Sequence, residues 1–234
     1  MFSRPTFPRR WEELSWAELQ DCPGGVGLVP VGGIEQHGPA LPIGTDSIVA
    51  RAVCAAASER CWSEGVNALV LPPIDIGCQD DAEVVLPGAM SLGAAQLVAL
   101  ATRWTEEAAR SGLRRLLFLD AGAGNASALA SATDRLGELR PELEVTALPW
   151  WSLDERVEEI DAGGSRHAGR AETSLVLAVA PELVRSARAG EGRGATAELG
   201  AELLDRTATA LAARLAELVL VAAPLEAPAL AVPG

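Results

Sequence analysis

Two histidines, His37 and His167, are the only imidazoles in the 234-residue chain, and both stand in glycine-rich turns beside carboxylates. His37 lies in "VGGIEQHGPALPIGTD" at residues 31–46, with Glu35 two residues before it and Asp46 nine after. In extended chain the i and i+2 side chains point the same way, so Glu35 and His37 can face one ion. A loop stiffened by Pro39 and Pro42 leads on to Asp46. Carboxylate, imidazole and carboxylate suit zinc, manganese or iron(II). Asp46 has a second reading, as the N-cap of the alanine-rich segment that follows it. The other histidine lies in "GGSRHAGRAETSLVLAVAPELV", ahead of a helix that carries Glu172 in its first turn. There Glu172 either complements the helix dipole or is a further ligand, with His167 moving a proton beside the metal.

The elements around these residues alternate. A short amphipathic helix over "RRWEELSWAEL" precedes an apolar run at 26–31 that ends in Gly32-Gly33, as a buried parallel strand does. Helix is expected over 47–64, strand over 67–71 up to Pro72-Pro73, helix over 93–111 and strand over 115–120. After the turn "AGAGN" come helix 126–139, a strand over "EVTALPWW", and helices near 169–178 and 196–218. Strand and helix in alternation imply an α/β fold with a mainly parallel sheet covered on both faces. Sites in such sheets gather beyond the carboxyl ends of the strands. The segments after Val31, after Leu119 and around Trp150-Trp151 fall there. In extended chain these two tryptophans face opposite ways, one to the core and one to the site. Trp11, Trp16, Trp62 and Trp104 read as packing. No repeat or long linker divides the chain, so 1–234 is expected to be one domain.

Composition narrows the chemistry. Net charge is −13, which disfavours nucleic acid and anionic membrane as partners and is compatible with small-molecule chemistry or a bound cation. All 19 basic residues are arginine; with no lysine and no tyrosine, a Schiff-base lysine, a P-loop lysine and a catalytic tyrosine are excluded. The cysteines Cys22, Cys54, Cys61 and Cys78 lack metal or redox spacing and read as reduced thiols. There is no Gly-x-Ser-x-Gly elbow, and no apolar stretch has the length of a membrane span or the form of a signal peptide. A cytoplasmic location is expected.

The stretch at 31–46 is very similar to the first signature of the creatininase (creatinine amidohydrolase) family, and "HAGRAETSLVLAVAPELV" looks like its second. "GATAELGAELLD" and "LSWAEL" resemble its terminal helices, so the resemblance covers nearly the whole chain. It is nearest the branch of mycofactocin-system peptidases and formamide hydrolases. The resemblance implies a three-layer α/β/α sandwich, two divalent ions, hydrolysis of cyclic or linear amides, and often a hexamer. It makes Glu35, His37, Asp46 and Glu172 ligands, with Asp46 bridging; His167 the proton-transfer residue; and Trp150 or Trp151 a wall over the substrate.

The pattern breaks in three places. Where the family has Asn-Gly-His-Gly-Gly-Asn, this chain reads "DAGAGN": Gly122 replaces a ligand histidine and Asp120 the first asparagine, while Gly124 and Asn125 match. Asp120 either caps the turn or substitutes as a ligand. In "PIDIGCQDDAEVVLPGAMSL" a family tyrosine and histidine are missing and Asp80, Asp81 and Glu83 crowd in; the segment between Val184 and Ala195 is short. One ion per chain, held by His37, Asp46 and Glu172 with an open position, is therefore expected. Asp120, Asn125, Arg166 and Arg170 join the tryptophans as candidate substrate contacts, the arginines either pairing with a substrate carboxylate or facing solvent. Three functions remain: a metal-dependent amide or peptide C–N hydrolase with Glu35 and His167 catalytic; a diverged biosynthetic enzyme doing cyclisation, condensation or lyase chemistry; or a non-catalytic assembly subunit.

Overall fold

Val26–Val31 (β1) and Arg115–Asp120 (β3) are buried along their whole length, which is why both read as continuous apolar runs rather than alternations. The computed structural model describes residues 10–20, 25–79, 87–161, 167–185 and 192–221. With Ala68–Val70 (β2) and Glu144–Pro149 (β4), these strands form a parallel sheet of order β2-β1-β3-β4. Val31 pairs with Asp120 and Asp120 with Pro149, so the three longer strands end at one level.

Successive side chains leave opposite faces of the sheet, and each face meets helices. Leu28, Leu117 and Leu119 pack with residues of Thr45–Ser63 (α2), Arg170–Val179 (α6) and Ala197–Val221 (α7). Val29, Val31, Leu116 and Phe118 pack instead on Ala94–Arg110 (α3) and Ala126–Leu139 (α4). The result is the three-layer α/β/α sandwich. Trp16–Gln20 (α1) and Glu155–Ile160 (α5) complete the seven helices among the described residues. Helices α6 and α7 approach closely: a side chain at Gly200 would start 1.8 Å from the carbonyl oxygen of Ser174. None of these helices is long and apolar enough to cross a membrane.

Three local expectations differ from the structure. The N-terminal segment is a 3-10 turn, Trp11–Glu13, followed by α1. Ser15 restarts the chain as a capping box: Glu18 N–H donates to its hydroxyl, and Ser15 N–H donates to the Glu18 carboxylate at 2.9 Å. Trp16 then points outward, 71% exposed, and is not packing, whereas Trp11 and Trp104 do pack below the sheet. β4 stops at Pro149, and Trp150–Ser152 is a 3-10 turn, so the alternation of an extended chain does not sort the two tryptophans. Asp46 is inside the first turn of α2, whose N-cap is Gly44, so it does not cap that helix.

Candidate active site

β1 connects to β2 on one side and lies against β3 on the other. The chain thus leaves these two neighbours in opposite directions and opens a crevice at their carboxyl ends. The loop after β1 fills it. Glu35 N–H donates to the Ile43 carbonyl at 3.0 Å and Met90 N–H to the Ile34 carbonyl at 2.9 Å, fixing both edges of the loop. His37 then turns inward and is 1% exposed. Its Nδ1 donates to the Glu35 carbonyl at 3.3 Å, which turns Nε2 toward Asp46 Oδ1 at 2.9 Å and Glu172 Oε2 at 4.0 Å. A ring pinned through one nitrogen by a backbone carbonyl presents the other to a metal.

The second half of the site comes from the turn before α6. Ala168 has φ 56, a conformation that costs a residue with a Cβ about 1 kcal/mol. The turn is held by Ala168 N–H donating to Glu172 Oε2 at 2.7 Å. Asp161 accepts from the N–H groups of Arg170 and Ala171 at 2.8 and 3.3 Å, satisfying two orphan donors at the start of α6. His167 is thereby stacked on His37, ring centroids 4.3 Å apart. Its Nε2 donates to the Gln36 carbonyl, and its Nδ1 stands 3.6 Å from Glu35 Oε1.

Charge in this crevice is out of balance. Glu35, Asp46 and Glu172 are all buried beside the two imidazoles. Burial alone would lower the pKa of His37, but the hydrogen bond to Asp46 and the charges of Asp46 and Glu172 raise it to about 9. Burial, with the Asp46 charge adding to it, pushes Glu172 up to about 8, although His37 and the Ala168 N–H oppose it. Both shifts favour the protonated forms, as an excess of carboxylates over imidazoles does. Asp46 Oδ2 is moreover buried with no hydrogen-bond partner. Ligand atoms of His37, Asp46 and Glu172 lie within 4.8 Å of one another, as do those of Glu35, His37 and His167. A buried nitrogen and two carboxylates around an unpartnered oxygen fit a divalent cation.

A pocket of about 80 Å³ is lined by Glu35, Asp46, His167 and Glu172 and walled by Trp150 and Trp151. The two indoles meet edge to face with centroids 6.5 Å apart; Trp150 is buried and Trp151 half-buried, and both reach the pocket. Other candidates sit elsewhere. Asp120 Oδ1 accepts from Gly122 N–H at 3.0 Å and Asn125 Nδ2 at 2.9 Å, capping the turn, and the carboxylate is in neither ligand cluster. Asn125 also donates to the Gly32 carbonyl and accepts from Cys78 N–H, which leaves it tying loops together off the pocket. Arg170 donates through Nε to the Gly194 carbonyl at 2.9 Å and does not line the pocket. Arg166, Asp80, Asp81 and Glu83 lie outside the described residues. Asp161 and Gln79 went unnoticed in the sequence. Asp161 acts across nine residues with no motif to mark it, and Gln79 sits in the stretch that departs from the family pattern.

The sequence pattern of creatinine amidohydrolases matches residues 12–215. The chain belongs to the creatininase family. It is 34% identical to a mycofactocin precursor peptide peptidase of Mycolicibacterium smegmatis (strain ATCC 700084 / mc(2)155) over 86% of this chain and 76% of that protein. It is 30% identical to a creatinine amidohydrolase of Pseudomonas putida over 74% of this chain and 72% of the other. Among solved structures, a creatininase variant of the Zn–Zn type superposes with a TM-score of 0.80 at 26% identity, covering 90% of this chain and 98% of that one. The creatininase fold is therefore the fold of this chain, and the creatininase signatures at 31–46 and 167–184 are the two segments that meet in the crevice.

Proposed function

We propose that the protein is a metal-dependent hydrolase of an amide C–N bond, in a small or cyclic amide or in a peptide. The observation that carries this reading is the convergence of His37, Asp46 and Glu172 beside His167, with Asp46, Glu172 and His167 lining a tryptophan-walled pocket. His37 Nε2, Asp46 and Glu172 would hold the ion: zinc, manganese or iron. When bound, such an ion polarises a carbonyl and brings the pKa of a water toward neutrality. The chain's own groups do the rest. Trp150 and Trp151 clamp a planar amide and exclude bulk water. His167, whose Nε2 donates to the Gln36 carbonyl, would move a proton through Nδ1, which stands 3.6 Å from Glu35 Oε1. Glu35 takes it from the attacking water and His167 delivers it to the leaving nitrogen. The relatives named above bear on both a peptide and a cyclic amide, and assembly into a closed homo-oligomer belongs to the same proposal.

The test is turnover of a panel containing creatinine, formamide and short peptides by metal-loaded protein, beside His167→Gln. The proposal predicts hydrolysis of at least one class. It also predicts a loss of about 10²–10⁴ in kcat in the variant with its metal retained. A metal-loaded protein that hydrolyses none of them would instead support the diverged biosynthetic reading, and a protein without metal the assembly-subunit reading.

A further inference from the structure

Asp46 places its two oxygens differently. Oδ1 meets His37 Nε2 at 2.9 Å and is the oxygen beside the imidazole. Oδ2 lies over a glycine, 2.6 Å from the place where a Gly33 side chain would start, and is buried without a partner. An ion held through Oδ1 with His37 and Glu172 leaves Oδ2 still to be satisfied. On the other side of the same glycine is a buried amide in the complementary condition. Gln79 is 6% exposed, and neither Nε2 nor Oε1 has a hydrogen-bond partner. Its Nε2 is 2.4 Å from the Gly33 starting point and its Cδ 3.6 Å, so the amide enters this space nitrogen first. A donor and an anionic acceptor, each costly to bury unpaired, thus face one another across a space that only glycine leaves open. The backbone behind the amide is fixed: Gln79 N–H donates to Ser91 Oγ at 3.0 Å and Cys78 N–H to Asn125 Oδ1 at 2.7 Å.

We propose that Gln79 is a positioning residue: its Nε2–H donates to Asp46 Oδ2 and fixes the carboxylate so that Oδ1 faces the ion. The inference rests on the reading that His37, Asp46 and Glu172 hold that ion. Rotation about the side-chain bonds of Gln79 closes the gap and breaks no hydrogen bond, because the side chain makes none. A ligand carboxylate held by an outer donor keeps its orientation while the metal is exchanged. The N–H also brings partial positive charge to Oδ2, so this oxygen is occupied by a donor and Asp46 does not bridge two ions here.

Two readings test this. In metal-free, nitrogen-15-labelled protein, one proton of the assigned Gln79 side-chain amide should be displaced downfield by its hydrogen bond. In Asp46→Ala the displacement should vanish. In zinc titrations by calorimetry, Gln79→Met, with folding checked by circular dichroism, should bind zinc about 10–100-fold more weakly than wild type. An amide signal unchanged by Asp46→Ala overturns the inference, even where zinc binding falls, because a packing role alone would leave that signal in place. Wild-type zinc affinity in folded Gln79→Met overturns it as well. If Gln79→Met does not fold, the amide signal decides. A wild type that binds no zinc overturns the proposed function, and the amide signal then still decides whether Gln79 and Asp46 are partners.

Discussion

At the scale of the residue, the missing histidine at position 122 is not a simple deletion. A side chain there would start 2.9 Å from Asn125 Nδ2, and Asn125 is fixed by Gly32, Asp120 and Cys78. The neighbourhood has closed over the space, so Gly122→Ala should destabilise the fold by about 1–3 kcal/mol in a denaturant titration, as overpacking does. Gly122→His should not add a zinc ion. An unchanged midpoint in the alanine variant would show the loops to be looser than drawn. Asp120 makes a different prediction. Burial raises its pKa to about 7, against the hydrogen bonds from Asn125 and Gly122, with Asp46 adding slightly. A carboxyl whose pKa is higher folded than unfolded makes the folded state bind more protons between about pH 4 and 7. Its contribution to stability is therefore full below pH 4 and is lost as pH rises through 7. Asp120→Asn keeps the accepting oxygen and removes the titration. Its Tm should gain on wild type between pH 4 and 7 and stay level above; parallel curves would contradict the assignment.

The element that matters most is the start of α6, because His167 and Glu172 flank it and Asp161 anchors it through two N–H groups. Asp161→Ala should cost about 1 kcal/mol of stability, the usual worth of a lost cap. Under the proposed function it should also weaken zinc binding by calorimetry, since Glu172 sits in that turn; undiminished affinity would show the turn to be held by other contacts. The sequence marks this helix and its glutamate by the glycine-rich entry and the apolar run behind it. Asp161 carries no local signal, since it acts from the end of α5. The tryptophan pair shows the same limit. "EVTALPWW" reads as one strand because β-formers continue to Trp151, yet the ladder to β3 ends at Pro149 and the chain coils into a 3-10 turn. Local propensity cannot see where the partner strand stops.

For the whole molecule, the apolar runs at β1 and β3 and the glycines after them made the sheet and the place of its crevice legible. Glu35, His37 and Asp46 were legible from spacing, and the structure brings His167 and Glu172 to them from more than 120 residues away. The burial of Gln79 next to Asp46 was not legible, because it is set by the fold and not by the residues around it in sequence. The net charge of −13 makes a chain that attracts cations, and the crevice collects three buried carboxylates around two imidazoles. The direct test of this account is the metal content of the purified protein after incubation with zinc, wild type beside His37→Ala. The account predicts tightly bound zinc in the wild type and its loss, or a weakening of at least a hundredfold, in the variant. A folded wild type that retains no metal, or a variant that retains as much, would contradict it.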